Sequence, residues 1–247
     1  MSGFEARNAT ILAGRKPMCY FSRGASPQKG TGVPAEIIRI NSQNPEASLV
    51  SYVASQIRAG QVLGMPTDTF YGLAADPFNL RAVLRIYEIK SRSRHKPLSL
   101  LIENVDQAEE LALSLPDTFH LLARKYWPGP LTIIVKAAKH LPLKVTANTG
   151  NVALRVPSAA IPMAVIRAAG VPLTATSANV SGASECTTAD GVRDQLGSHL
   201  PAIVDGGPSP RSVPSTIVQL TDEAGWRVLR EGAISTQEIS DYLAQQG

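Results

Sequence analysis

Short apolar runs alternate with amphipathic helical patterns from Glu36 to the end of the 247-residue chain. Such alternation is typical of α/β folds, in which helices cover the faces of a sheet. Because several short strands follow one another with no helix between them, we expect an open, twisted, mixed β-sheet with flanking helices. The predicted strands span residues 36–40, 62–65, 98–102, 131–136, 152–156, 171–175, 202–204, 215–220 and 226–229, and the predicted helices span 48–59, 80–89, 105–113, 116–126, 161–169, 188–196 and 236–246.

The composition is that of one sizeable domain. The hydrophobic fraction is 44%, and no apolar run reaches the roughly 18 residues that a membrane span requires. The two cysteines, Cys19 and Cys186, lie far apart and lack CxxC spacing, which argues against a disulfide framework or a zinc site. We therefore expect a cytoplasmic protein with no membrane partner.

The net charge of +4 originates in the N-terminal segment. Residues 1–35 hold five basic residues and one acidic residue, which leaves 19 of each sign in the rest of the chain. We predict that residues 1–35 form a flexible basic arm and that residues 36–247 form the folded domain. A transit peptide is the alternative for the arm. Because the folded part is neutral overall, any attraction for phosphate must come from local clusters.

The segment 66–73, PTDTFYGL, directly follows the predicted strand 62–65. Its side chains are expected at the carboxyl edge of the sheet, where open α/β folds bind ligands. Hydroxyl groups recognise small polar ligands because each one both donates and accepts. Pro, Thr, Asp and Gly also build ordinary turns, so a plain turn is the alternative.

Four cations and a histidine lie in the segment 90–97, KSRSRHKP, between a predicted helix and a predicted strand. Like charges this close repel one another unless an anion is near. A lysine supplies a point charge and an arginine a planar fork, which together suit polyphosphate. A solvated basic loop is the alternative.

The segment 174–182, TATSANVSG, follows the strand that begins at Val171. Its small side chains leave room for a ligand, and its main-chain N–H groups can bind phosphate oxygens. The alternative is a polar connection whose serines and asparagine cap the neighbouring backbone.

Arg155 lies on an otherwise apolar strand, which is costly unless the guanidinium meets a carboxylate from the protein or from a ligand. The sequence contains no P-loop and no GxSxG motif, and its four histidines lack metal-ligand spacing. We expect no protein-held metal. A pocket lined by hydroxyls and cations favours positioning and charge stabilisation over covalent catalysis.

Taken together and in this order, eight short segments resemble the YrdC/TsaC family, the L-threonylcarbamoyladenylate synthases. They are PTDTFYGL from Pro66, KSR from Lys90, PGPLT from Pro128, VALRVP from Val152, TSAN from Thr176, VDGG from Val204, STIV from Ser215 and LREG from Leu229. The resemblance implies a YrdC-like domain, an open α/β sheet around a concave positive cavity. Family members are nucleotidyltransferases that join L-threonine, bicarbonate and ATP into threonylcarbamoyl-AMP and release pyrophosphate, the first step of threonylcarbamoyladenosine modification of tRNA.

The resemblance also implies roles for individual residues. Lys90, Arg92, Ser177 and Asn179 match the family's KxR and SxN signature, in which the cations neutralise ATP phosphates, the serine contacts the nucleotide and the asparagine holds the geometry. Further ATP-binding positions are Lys96, Asn151, Glu185 and Arg230. The threonine-binding positions are Thr69, Leu101, Arg155, Ala175 and Ser215, with Arg155 pairing with the threonine carboxylate.

The implied cofactor is Mg²⁺ carried by ATP. The implied partners are ATP, L-threonine, bicarbonate and downstream threonylcarbamoyl-transferase proteins, with tRNA as a further candidate. Longer family members carry an extra C-terminal domain, and we expect this chain to be the short form. Two alternatives stay open: an RNA-binding module, and a YrdC-like paralogue with different chemistry.

Overall fold

A computed structural model describes residues 34–221 and 225–246. The predicted N-terminal arm therefore lies outside the described residues, apart from Pro34 and Ala35. The strands are β1 (Glu36–Arg39), β2 (Leu63–Met65), β3 (Gly72–Ala74), β4 (Ser99–Leu101), β5 (Leu131–Lys136), β6 (Asn151–Arg155), β7 (Leu173–Thr174), β8 (Thr176–Ser177), β9 (Ala202–Asp205), β10 (Thr216–Leu220) and β11 (Trp226–Arg230). The helices are α1 (Ala47–Arg58), α2 (Leu80–Ile89), α3 (Val105–Leu111), α4 (Asp117–Tyr126), α5 (Ala160–Ala169), α6 (Ala189–Leu196) and α7 (Thr236–Ala244).

The mixed α/β class is confirmed, and the strands are divided between two mixed sheets where a single sheet was expected. The five-stranded sheet has the order β1-β9-β2-β3-β8, and the six-stranded sheet has the order β11-β10-β5-β6-β4-β7. In the first sheet β1, β9 and β2 are parallel, whereas β3 and β8 are antiparallel to their neighbours.

The two sheets meet at the segment from Leu173 to Ser177. β7 pairs with β4 of the six-stranded sheet, and β8 pairs with β3 of the five-stranded sheet. Between them, the N–H of Ala175 donates to the carbonyl of Ser99 over 2.8 Å. The prediction had one strand over 171–175 followed by a polar connection, so the change of sheet was missed. β3 was missed too, because the turn-forming residues before it disguise its start.

Two hydrophobic cores hold the helices against the sheets. One core packs α1 and α5 against β2 and β9, and Val53, Ile57 and Val165 are fully buried within it. The other core fills the space under α2, α4 and α6. The ends of the helices follow the predicted signals: the Asn79 side chain accepts from the N–H groups that open α2, and Gly170, with φ of 71°, ends α5. No helix in the described part of the chain is long and apolar enough to cross a bilayer.

Candidate functional site

A cavity of about 340 Å³ opens where the two sheets meet. Four of its described lining residues are basic and one is acidic, so the surface is positive. Ten of the thirteen predicted site residues line it, namely Thr69, Arg92, Lys96, Leu101, Arg155, Ala175, Ser177, Glu185, Ser215 and Arg230. The other three, Lys90, Asn151 and Asn179, do not.

The turn between β2 and β3 presents two threonine hydroxyls to the cavity. The hydroxyl of Thr67 accepts the N–H of Thr69 over 3.1 Å and donates to the carbonyl of Phe70 over 2.7 Å. It also lies 3.1 Å from the hydroxyl of Thr69. Thr67 therefore holds the turn, and this turn fixes the direction in which Thr69 points.

Arg155 is buried at the end of β6 and is held on three sides. Its Nε donates to the carbonyl of Gly129 over 2.9 Å, and its Nη1 donates to Thr69 Oγ1 over 3.1 Å. Its Nη2 lies 2.6 Å from Asp68 Oδ1, an ion pair whose side chains are 7% and 5% exposed and whose N–H is not aligned as a hydrogen bond. The carboxylate that Arg155 requires is thus supplied by the protein. The sequence had left open whether it came from the protein or from a ligand.

Lys90 lies behind the cavity wall. It follows α2 and is 1% exposed. Its Nζ donates to the carbonyl of Ser177, to the carbonyl of Asn179 over 2.8 Å and to Asn179 Oδ1 over 3.0 Å. Burial, with a further contribution from the neighbouring Arg92, lowers the pKa of Lys90 to about 8, while Glu185 opposes the shift. Lys90 therefore ties α2 to the 177–179 turn, and its three donors are already used.

Asn179 is also buried and serves the same turn. Its Oδ1 accepts the hydroxyl of Ser177 over 2.6 Å, and its Nδ2 donates to the carbonyl of Ala183 over 2.6 Å. Only Ser177 of this trio lines the cavity. Lys90 and Asn179 together fix the position of the Ser177 hydroxyl.

The basic loop after α2 contributes two cations, Arg92 and Lys96, to the lining of the cavity. Arg92 donates from Nη2 to the carbonyl of Pro97 over 3.1 Å, and its buried Nε has no hydrogen-bond partner among the described residues. Burial lowers the pKa of Arg92. Lys96 is exposed at the rim. These two side chains are available to an anion.

The opposite wall carries Ser215, Thr132 and Arg230. The hydroxyls of Ser215 and Thr132 lie 2.9 Å apart, and Arg230 Nη2 donates to the Ser215 carbonyl over 2.8 Å. Burial lowers the pKa of Arg230, and the negative charge of Glu185 opposes that shift. Thr132 is not among the predicted site residues, although it lies in the PGPLT segment that carries part of the family resemblance.

Asn151 lies at the start of β6, whereas Arg155 lies at its end. Four strand residues span about 13 Å, so Asn151 is remote from the threonine hydroxyls. Its side chain donates to the carbonyl of Thr149 over 3.2 Å. A nucleotide contact at Asn151 stays a prediction.

The chemistry of this arrangement is recognition of an anion beside a small polar molecule. Arginines, a lysine and hydroxyls line one concave surface. Among the described residues no group of three or more His, Cys, Asp or Glu side chains is placed to hold a metal ion.

Comparison with known proteins places the chain in a family. The family model Sua5/YciO/YrdC, described as "Telomere recombination", matches residues 55–232. A Mycobacterium tuberculosis relative is 40% identical over 195 residues, which cover 79% of this chain and 88% of the relative. The threonylcarbamoyl-AMP synthase of Vibrio vulnificus is 34% identical over 187 residues, covering 75% of this chain and 99% of that one.

A solved structure supports the same placement. Pyrococcus abyssi Sua5 complexed with L-threonine is 33% identical and superimposes with a TM-score of 0.81, covering 84% of this chain. This chain spans 60% of the length of that protein. The fold, the order of the motifs and these relatives agree, and the chain belongs to the Sua5/YciO/YrdC family.

Proposed function

We propose that this chain is a threonylcarbamoyl-AMP synthase, which condenses L-threonine, bicarbonate and ATP and releases pyrophosphate. The product is the donor for threonylcarbamoyladenosine modification of tRNA. The observation that carries the proposal is a single cavity that is lined by hydroxyls, by the buried Arg155 and by three further cations. The name of the V. vulnificus relative and the L-threonine bound by P. abyssi Sua5 support it.

In this proposal threonine lies against Thr69, Arg155 and Ser215. Arg155 still presents its charge to the cavity although Asp68 shares it. A carboxylate near Arg155 would therefore be bound by a guanidinium whose direction is already set, which reduces the entropy lost on binding. Leu101 and Ala175 would contact the apolar part of threonine, because both line the same cavity.

The ATP phosphates are proposed to lie against Arg92, Lys96 and Arg230, with Ser177 contacting the nucleotide. The geometry favours a positioning role for Lys90 and Asn179, because both are buried and hold Ser177 rather than facing the cavity. Glu185 stands among these cations, where it would space the phosphates or meet a hydroxyl of the nucleotide.

The proposed reaction proceeds in two steps. The amine of threonine adds to bicarbonate, and loss of water gives a carbamate. A carbamate oxygen then attacks the α-phosphorus of ATP, the bond from that phosphorus to the β-phosphate oxygen breaks, and pyrophosphate leaves. Negative charge increases on the phosphate oxygens during this step, and Arg92 is placed to stabilise it. Mg²⁺ would enter as part of the ATP substrate, since Glu185 is the one carboxylate among the described lining residues.

Downstream transferase proteins, tRNA and a cytosolic location belong to the proposal as well. The rival function is RNA binding alone, and the positive cavity is the observation in its favour. Strongly salt-dependent RNA binding without threonine-dependent ATP cleavage would support the rival.

The experiment that tests the proposal is pyrophosphate release from ATP, with threonine and bicarbonate omitted in turn. We expect release to depend on both. Arg92→Ala should slow turnover by about a hundredfold or more, as expected when a charge-stabilising group is removed. Arg94→Ala is the matched control, because Arg94 is exposed and lies outside the cavity lining. Unchanged release by Arg92→Ala, or release without threonine, would refute the assignment.

Serine in place of threonine measures the fit of the threonine pocket. A missing methyl group in an apolar pocket costs roughly tenfold or more in kcat/KM. Equal kcat/KM values for the two amino acids would contradict the proposed contact with Leu101.

A further inference from the structure

One face of the six-stranded sheet forms a wall of the substrate cavity. Because side chains alternate between the two faces of a strand, Thr132 and Ile134 of β5 lie on the face opposite to Ile133. Thr132 and Ile134 line the cavity, whereas Ile133 is fully buried in a hydrophobic core. The same alternation holds on β6, where Arg155 lines the cavity and Leu154 lies in the core. The side chain of Thr132 therefore projects from the cavity face of the sheet.

Thr132 lies in the middle of a row of side chains that crosses this face. β5 and β6 are antiparallel, with Ile133 opposite Leu154. One residue further along each strand, Thr132 is therefore the neighbour of Arg155. On the other side of β5, Ile217 of β10 pairs with Thr132. Thr132 thus lies between an apolar side chain and the arginine that is proposed to bind the threonine carboxylate.

The hydroxyls of Thr132 and Ser215 hold two protons, and the protein uses one of them. Their oxygens lie 2.9 Å apart, so one hydroxyl donates to the other. Arg230 Nη2, which can only donate, lies 3.2 Å from Ser215 Oγ, so Ser215 accepts this bond. No other hydrogen bond joins either hydroxyl to a described residue. Both residues line the cavity, and one O–H group of the pair is left for an acceptor there.

The charge of Arg230 favours one direction for this pair. A hydroxyl that accepts from a cation becomes a stronger donor, and a chain in which each hydroxyl accepts once and donates once is cooperative. In the reverse direction Ser215 would accept from two donors and Thr132 from none. The favoured chain runs from Arg230 through Ser215 to Thr132, which leaves the O–H of Thr132 as the available donor. An anionic oxygen beside Arg155 is the acceptor that suits it.

We propose that Thr132 donates a hydrogen bond to a carboxylate-type oxygen of the substrate that lies beside Arg155. This inference rests on the proposed function and adds a substrate-contacting residue to the cavity. Threonine and bicarbonate both carry such an oxygen, and either is held by the guanidinium and the hydroxyl together. The chain also connects this oxygen with Arg230, which is proposed to bind phosphate.

The test is a calorimetric titration of the full-length protein with L-threonine, in the absence of ATP and bicarbonate. Thr132→Val keeps the volume of the side chain and removes its hydroxyl. We expect it to bind threonine about tenfold or more weakly, the loss of one charge-assisted hydrogen bond. Thr132→Ser keeps the donor and should recover most of the lost affinity, which a role of the γ-methyl group in packing alone would not allow.

Steady-state pyrophosphate release distinguishes the two sources of the oxygen. If the threonine carboxylate accepts the hydrogen bond, Thr132→Val also raises KM for threonine. If bicarbonate accepts it, threonine binds Thr132→Val normally and KM for bicarbonate rises instead. Thr146→Val is the matched control, because Thr146 is buried but is not among the described cavity-lining residues. It should change neither KM value.

Thr132→Ala takes the place of Thr132→Val if the latter fails to fold, with folding judged by the urea transition. A folded variant that keeps the original threonine affinity and both original KM values would overturn the inference, because Ser215 alone then supplies the donor. Failure of Thr132→Ser to recover the loss would overturn it too. If the original protein releases no pyrophosphate in response to threonine, the proposed function fails as well, so the two failures are distinguishable.

Discussion

Replacing Asp68 by asparagine keeps the shape of the side chain and removes its charge. The guanidinium of Arg155 would then remain buried beside a neutral amide, 2.6 Å from the former carboxylate position. Removal of one partner from a buried ion pair costs about 3–5 kcal/mol. Because Arg155 keeps its hydrogen bonds to Gly129 and Thr69, we expect the low end of that range, about 3 kcal/mol of unfolding free energy.

The assay is urea unfolding of the Asp68→Asn variant and of the original protein. The unfolding free energy in water is extrapolated for each, and the dependence of that free energy on urea concentration is compared between the two proteins. Glu103→Gln is the matched control, since its partner Arg167 is 63% exposed and such surface pairs contribute about 0–1 kcal/mol. Adding Arg155→Met to Asp68→Asn should restore part of the loss, because no uncompensated charge is then buried. A loss for Asp68→Asn no larger than that for Glu103→Gln would refute the reasoning.

Three further perturbations test other parts of the site. Thr69→Val removes a hydroxyl that Arg155 contacts and should raise KM for threonine about tenfold, measured by steady-state pyrophosphate release. The pKa of Lys90 is about 8 in the native state, below its ordinary value of 10.5. Between these two pH values the unfolded chain therefore binds more protons than the native protein does. Relative to Lys90→Met, the unfolding free energy of the original protein should therefore rise from pH 8 to 10.5. Gly232→Ala would place a Cβ 2.2 Å from the carbonyl oxygen of Pro214 and should lower the unfolding free energy by about 1–3 kcal/mol in urea.

Two of these changes have a matched control elsewhere in the chain. Thr146→Val removes a hydroxyl of a buried residue that lies outside the described cavity lining, and it should leave KM for threonine unchanged. Gly197→Ala meets only the flexible side chain of Arg193, so it should cost less than Gly232→Ala. If the difference in unfolding free energy between the original protein and Lys90→Met stays constant from pH 8 to 10.5, the lowered pKa of the buried Lys90 would be contradicted.

The local signals in the sequence predicted most helices, and the family resemblance predicted many of the residues that line the cavity. Asn79 caps the start of α2 and Gly170 ends α5, and both act on residues only a few positions away, which a sequence shows directly. Lys90 is different, because its acceptors lie 87 and 89 residues away and nothing nearby reveals that they bury it. A motif can place a lysine near a site without showing whether its side chain lines the cavity or is buried behind the lining residues.

The ion pair of Arg155 was also hidden in the sequence, because its two residues lie far apart along the chain. An arginine on an apolar strand predicts a carboxylate, but Asp68 lies far away in sequence and looked like a turn residue. The division into two sheets was hidden for a related reason. Each of β7 and β8 has two residues, too short for any periodicity to reveal a change of partner at Ala175.

The five residues from Leu173 to Ser177 are hydrogen-bonded to both sheets, and this shared strand governs how the cavity can move. The sheets cannot part without rupture of main-chain bonds such as that from Ala175 to Ser99. Amides in this strand should exchange with deuterium only through large-scale opening. The floor of the cavity is thus a rigid joint, and any change in the shape of the cavity is expected at its walls, where Arg92, Lys96 and Arg230 lie.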